Sequence, residues 1–258
     1  MQYIDIGVNL FSKQFRKIET LVVSQARLNE VGIIITGSSI PSSIQADAYT
    51  KENRDVYCTV GVHPHDAKSC DEYTIGTLRE LAKGNPNVVA IGECGLDYDR
   101  MFSRKEVQLH WFEEQIKLAK ELNLPLFLHE REASDDFFEV LKKYPQQAQR
   151  AVVHCYTGNR ETAEKYLKLG CMFGVTGWIN DTRRNQDLLE ALQSIPMDRI
   201  MVETDAPYLL PRGVKGLKNP NVPVNVEYVV ETLALVKGIK KEECRKQVLE
   251  NTLAFFHL

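Results

Sequence analysis

An alternation of two sequence patterns constrains this chain more than anything else in it. Eight short, nearly continuous apolar runs rich in β-branched residues recur along it: Tyr3–Val8, Gly32–Thr36, Val56–Val62, Val88–Gly92, Leu124–His129, Ala151–His154, Cys171–Val175 and Ile200–Glu203. Strands buried on both faces read this way, because neither face has to meet water. Between most of them lie segments of helical period: Ile75–Ala82, Val107–Leu122 with Leu109, Phe112, Ile116, Ala119 and Trp111 as its core, the stretch marked by Phe137, Phe138 and Leu141, and Ala163–Leu169. At about 30 residues per strand–helix pair, eight pairs nearly exhaust the 258 residues. The surplus, Val224–Lys237 and Glu242–Phe256, reads as two helices after the last strand, placed to close the bottom of a barrel. An open doubly wound sheet shares the alternation, but no GxGxxG or GxxxxGK[ST] loop follows any strand. The expectation is an α/β fold, a single (β/α)8 TIM-type barrel with extra C-terminal helices, as one domain over 1–258. Pro211–Pro223 reads as a long loop within it, not as a linker.

Composition removes other classes. Hydrophobic residues are 43% and charged residues 26%, which excludes disordered, collagenous and disulfide-scaffold chains. Lys+Arg 32 against Asp+Glu 35 gives −3, so no global basic field advertises a polyanion, while a local basic rim stays open. Six cysteines are scattered without a CxxC pair and read as reduced thiols packed as small hydrophobes. With no basic leader and no long apolar span at the start, the expected location is cytoplasmic.

The polar residues of interest fall at the ends of the expected strands. In order they are Asp5 and Asn9; His63 and His65; Glu93, with Asp97 in the loop beyond; His129, Glu130 and Arg131; His154; and Glu203 and Asp205. Four of the six histidines lie there, and only His110 and His257 fall elsewhere. A β/α barrel builds its site from the C-terminal ends of different strands. Buried charge is costly unless paired or metal-bound, so histidines and carboxylates collected in this way suit a divalent cation that accepts nitrogen and oxygen. Cys94 and Cys155 each adjoin a candidate ligand and would point to the opposite face, which argues against thiolate-bound zinc.

Three stretches name a family: GVHPHD (61–66), AIGECGLDYDR (90–100) and VETDAPYLLPR (202–212). With IDIGVNL (4–10), LFLHERE (126–132), VVHCYTGNRE (152–161) and GVTGWINDTRR (174–184), they resemble the TatD family of metal-dependent deoxyribonucleases over nearly the whole chain. The resemblance implies a 3′→5′ exonuclease on single-stranded DNA, with RNA as a further substrate. It implies Glu93, His129, His154 and Asp205 as metal ligands, with His63 beside the metal or the scissile phosphate. One or two divalent ions are expected, Mg²⁺ first, with Mn²⁺, Zn²⁺ or Ni²⁺ as the others. One departure stands out. Many relatives carry Asp-x-His-x-His on the first strand, and here the two histidine positions are Gly7 and Asn9. The bacterial branch of the family commonly shares this form, so it marks a sub-family and puts a fully built two-metal centre in doubt.

Asp205, Glu93 and His63 are the expected catalytic groups, Asp205 orienting or deprotonating water. Each has a plainer reading: a helix cap for Asp205, an ion pair with Arg131 for Glu93, a buried neutral ring for the histidines. His65, Glu203 and Arg131 are expected to support the ligands or touch phosphate. Arg183, Arg184 and Arg212, with Trp178 and Tyr208, form an expected substrate rim in loops where barrels often bind phosphate; the plainer reading is a solvated basic edge. The competing function is an amidohydrolase or esterase, including hydrolysis of an aminoacyl-tRNA ester. The missing first-strand histidine pair speaks against it.

Overall fold

Eight parallel strands are present, in one sheet whose strand order follows the chain from first to last. They are β1 (Tyr3–Val8), β2 (Val31–Ile35), β3 (Tyr57–Val60), β4 (Val88–Asp97), β5 (Leu126–Arg131), β6 (Ala151–Val153), β7 (Met172–Val175) and β8 (Ile200–Val202). Helices α1 (Glu19–Leu28), α2 (Ile40–Glu52), α3 (Thr74–Gly84), α4 (Lys105–Leu122), α5 (Ser134–Lys142), α6 (Pro145–Ala148), α7 (Arg160–Leu169) and α8 (Gln186–Ser194) lie between them. Two more, α9 (Val226–Lys237) and α10 (Lys241–Phe256), end the chain. A computed structural model describes residues Met1–Leu258. A doubly wound sheet reverses its strand order at a switch point; an unbroken sequential order has none, and the fold class is the (β/α)8 barrel.

The chain divides into two units interleaved in sequence. The first takes Met1–Ile35, Cys155–Leu167 and Phe173–Leu258; the second takes Thr36–His154 and Lys168–Met172. In the first, β1 pairs with β2 (Tyr3 opposite Val31) and β7 with β8 (Phe173 opposite Ile200). The end of β1 meets the segment after β8 through the backbone N–H of Asn9, which donates to the carbonyl of Ala206 at 2.7 Å. At the other end of β8, Asn251 on α10 donates to the carbonyls of Met197 and Ile200, both at 2.7 Å. The final helix thus seals the N-terminal edge of β8.

The second unit pairs β3 through β6, with β4 as its longest strand. β4 corrects one expectation. The apolar run was expected to stop at Gly92, yet the strand continues to Asp97 and is buried throughout. Gly92 (φ +136°) and Gly95 (φ +143°) bend it instead of ending it. A Cβ at either would sit 2.0 Å from the carbonyl oxygen of Phe127 or 1.9 Å from that of His129, so only glycine lets β4 pass so close to β5. Asp97 is therefore the last residue of a buried strand, 2% exposed, and not a loop residue.

Helix α4 holds the ends of β3 and β4 by polar means that periodicity does not reveal. Gln115 accepts from the N–H of Val62 (2.8 Å) and donates to its carbonyl (3.1 Å). Gln108 accepts from the N–H of Asp97 (2.8 Å) and donates to its carbonyl (2.9 Å). Each amide stands in for a neighbouring strand, satisfying backbone groups that would otherwise be buried unpaired. Trp111, expected in the core, is only half-buried. No helix is long and apolar enough to cross a membrane.

Candidate metal centre

The bend of β4 puts Glu93 between its two special glycines, and three histidines meet its carboxylate. Nε2 of His154 lies 2.8 Å from Oε1 of Glu93, Nδ1 of His129 3.2 Å and Nε2 of His63 3.3 Å. His63 comes from the segment three residues past β3, His129 from β5 and His154 from just past β6. The His154 ring stacks on Phe127, centroids 4.6 Å apart, in the core of this unit. Glu93 is 6% exposed, and it carries charge because of its neighbours. Burial alone would raise its pKa, but His63, His154 and the hydrogen bond from His129 hold it well below the usual carboxylate range.

The second nitrogens of the rings are assigned by their own partners. Nδ1 of His63 accepts the backbone N–H of His65 at 3.0 Å. A neutral imidazole with an accepting Nδ1 carries its proton on Nε2, so His63 faces Glu93 as a donor. Burial lowers the His63 pKa to about 4, which keeps the ring neutral at pH 7. His129 differs. Its Nε2 faces Oδ2 of Asp97 at 3.2 Å, and Nε2 of His65 reaches the same oxygen at 2.7 Å. Burial works against the His129 cation, but its hydrogen bonds to Asp97 and Glu93 outweigh that and raise its pKa. Asp97 is held below its ordinary value by the same two histidines, against its burial. A cation replacing the Nδ1 proton would find the ring held by its Nε2 proton toward Asp97, with the Nδ1 lone pair then free to ligate on the Glu93 side, the carboxylate–histidine arrangement of metal sites.

This donor set fits a divalent cation. His63, Glu93 and His129 each offer an atom within 4.8 Å of the others. A carboxylate oxygen has two lone pairs, whereas three imidazole nitrogens crowd Oε1 of Glu93, more than hydrogen bonding can use. With His63 assigned as a donor, Glu93, His129 and His154 are the candidate ligands, and three protein ligands leave a coordination position open for chemistry. Cys94 is fully buried and Cys155 lies 3.7 Å from the Thr176 hydroxyl.

The expected residues of the first unit form a group of their own at the ends of β1 and β8. Nδ2 of Asn9 donates to Oδ1 of Asp205 at 2.8 Å, and Asp205 adopts φ +54°. Asp5 fixes the residue before it, accepting from the Thr204 N–H at 2.8 Å and from the Thr204 hydroxyl. Glu203 is fully buried and accepts the N–H of Cys155. Its carboxylate also explains Gly7. A Cβ at position 7 would lie 2.3 Å from Oε2 of Glu203, so the acid occupies the room that a first-strand histidine would need.

The expected rim residues gather on a residue that the sequence did not single out. Asp181, 3% exposed, accepts from Arg183 (2.7 Å) and Arg184 (2.9 Å) and pairs with Arg212 (3.3 Å). The Arg184 guanidinium lies 3.5 Å from the centre of the Trp178 ring. Tyr208 is 47% exposed. Arg131 is apart from these and pairs with Asp99 at 3.3 Å, not with Glu93. Beside His65, the ring of exposed Phe102 stands edge-on at 4.8 Å. The acid two residues before an arginine pair was the one available signal for Asp181; the glutamines of α4 had none beyond their seven-residue spacing.

The sequence profile of the TatD-related DNases matches residues 4–257. The chain belongs to the TatD family. It is 44% identical over 259 residues to a protein of Erwinia amylovora named 3′-5′ ssDNA/RNA exonuclease TatD, covering 98% of this chain and 99% of that one. A Rahnella protein of the same name is 45% identical over 238 residues, covering 91% and 90%. Among solved structures, a TatD homologue from Escherichia coli superposes with a TM-score of 0.90 at 28% identity, over 100% of this chain and 98% of that one. A structure described as an uncharacterized amidohydrolase from Saccharomyces cerevisiae gives 0.84 at 26%, over 98% and 99%. TatD proteins are metal-dependent hydrolases, and the Glu93 cluster is the TatD-type candidate centre of this chain.

Proposed function

We propose that this chain is a metal-dependent 3′→5′ exonuclease that hydrolyses phosphodiester bonds of single-stranded DNA, and RNA as a second substrate. The convergence of His129, His154 and the donor His63 on one oxygen of Glu93 carries the reading, in a chain 44% identical to proteins named for that activity. Residues 1–258 are read as one hydrolase domain. Glu93, His129 and His154 hold the ion, with Asp205 as a further ligand on the strength of its place in the VETDAPYLLPR motif. A bound divalent ion lowers the pKa of water and draws charge from phosphoryl oxygens. Two imidazoles beside one carboxylate suit Mn²⁺ or Zn²⁺ better than Mg²⁺, whose preferred ligands are oxygens, so we place Mn²⁺ ahead of Mg²⁺ for this centre.

The protein groups around it divide the remaining work. His63, neutral at pH 7 with its proton on Nε2, donates to a phosphoryl oxygen. Asp97 accepts from His129 and fixes its ring. The Asp205 carboxylate, oriented by Asn9, takes the proton of the attacking water. Hydrolysis of an amide or ester loses ground, because Glu203 fills the space of the first-strand histidine that the residues of such sites require. The test is incubation with a 5′-labelled single-stranded oligonucleotide and Mn²⁺ or Mg²⁺, beside Glu93→Ala and an EDTA control. A ladder shortening from the 3′ end, absent from both controls, is expected. No shortening of the oligonucleotide, with turnover of amide or ester substrates instead, overturns it.

A further inference from the structure

Two of the three arginines on Asp181, Arg184 and Arg212, line with it a cleft of about 440 Å³, within the range of small-molecule sites. One wall is Trp178 with Arg184 over its ring; the other is the Leu209–Asn219 loop, which brings Arg212. The walls meet at Gly177, where a Cβ would lie 2.2 Å from the carbonyl oxygen of Leu209. All of these residues belong to the first unit.

The charge on this cleft does not balance. Asp181 contributes one negative charge, held ionised by its bond from Arg183, against three guanidiniums that are 60%, 45% and 59% exposed. A pairing site would need one arginine. Three on a single buried acid fix their positions and leave two positive charges facing solvent, beside an indole and an apolar wall. Lys215 and Lys218 lie exposed on the same loop. The combination matches a phosphodiester with its base attached: a tetrahedral anion for the forked donors and a flat ring for the Arg184–Trp178 pair.

We propose that this cleft is a nucleotide subsite, distinct from the Glu93 cluster. It takes one phosphate of the substrate strand on Arg184 and Arg212 and the adjoining base against the Trp178 wall, while Arg183 holds Asp181 with both prongs of its guanidinium. Asp181 is its positioning residue. The proposal rests on the nuclease reading above and adds where the strand is gripped. A grip of this kind reads backbone charge and a base face, so it accepts any base but needs that base unpaired and free to stack.

The test uses the whole chain with Trp111→Phe, which leaves Trp178 as the sole tryptophan. Oligo(dT) of ten nucleotides is titrated in EDTA, so that nothing is cleaved. Quenching of Trp178 is expected, with the slope of log Kd against log salt falling by about 0.7 in Arg212→Ala. In turnover with Mn²⁺, Arg212→Ala should raise KM roughly tenfold, more than it lowers kcat. Asp181→Asn adds a net positive charge; positioning predicts weaker binding all the same, and tighter binding contradicts it. If the parent protein degrades the oligonucleotide while Trp178 fluorescence, salt slope and KM stay unmoved, the subsite is overturned and the nuclease reading stands. If the parent neither binds nor degrades it, the nuclease reading falls first.

Discussion

The backbone N–H of His65 donates to Nδ1 of His63 at 3.0 Å, and this bond separates His63 from the other histidines around Glu93. It puts the His63 proton on the nitrogen facing the carboxylate, the basis for our proposal that the ring acts as a donor while His129 and His154 hold the ion. His63→Gln keeps a donor there. It should leave Mn²⁺ affinity within about threefold of the parent while kcat falls roughly 10²-fold or more, the loss typical of a donor to developing charge. His129→Ala should instead lose the metal. Equal loss of affinity in both variants would make His63 a ligand.

Gly7 marks where this chain parts from relatives with a first-strand histidine pair. A Cβ there meets Oε2 of Glu203 at 2.3 Å, and Glu203 is fully buried. Gly7→Ala should destabilise the fold by about 1–3 kcal/mol through overpacking, read as a lower midpoint in urea. Gly7→His should destabilise further. Glu203→Gly in the Gly7→His background is expected to recover part of that loss, since it clears the space.

Gln115 and Gln108 test how far α4 shapes the site. Gln115→Leu strands the Val62 N–H and carbonyl next to His63, at a cost of about 1–3 kcal/mol for unpaired buried groups. Thermal unfolding should show the loss, and KM and kcat should both change because His63 follows Val62. A leucine that left stability and kinetics as they were would remove the helix from the account.

These glutamines also show what the sequence could convey. Apolar runs marked all eight strands, seven of them to within two residues and β1 at its observed limits, because burial on both faces leaves a local signature. Strand-end position likewise picked out Glu93, His63, His129 and His154, which the structure gathers at one oxygen. Asp97 was misplaced because the run reads as ending at Gly92, where the strand instead bends, as it does again at Gly95. Asp181 stayed hidden for another reason: two of its arginines are neighbours in sequence, but Arg212 joins from beyond β8, and no local pattern records a long-range pairing.

Burial, not reactivity, governs most of the cysteines. It pushes Cys58 up to about 12, and Cys70 and Cys244 to about 11. A raised thiol pKa leaves these groups protonated at pH 8, and the thiolate is the reactive form. Iodoacetamide at pH 8 should therefore leave all three unmodified in the folded protein over an hour, as followed by mass spectrometry, and label them promptly in guanidinium. Rapid labelling of Cys58 in the native protein would contradict the packing described.

The central claim is that Glu93 organises a cation site with His129 and His154. Calorimetric titration of the chelator-treated protein with Mn²⁺ tests it most directly, with Glu93→Gln alongside, a variant that keeps the shape and removes the charge. Saturable binding by the parent, weakened at least tenfold in Glu93→Gln, is the predicted result. Binding of equal strength in both proteins, or none in the parent, would contradict it.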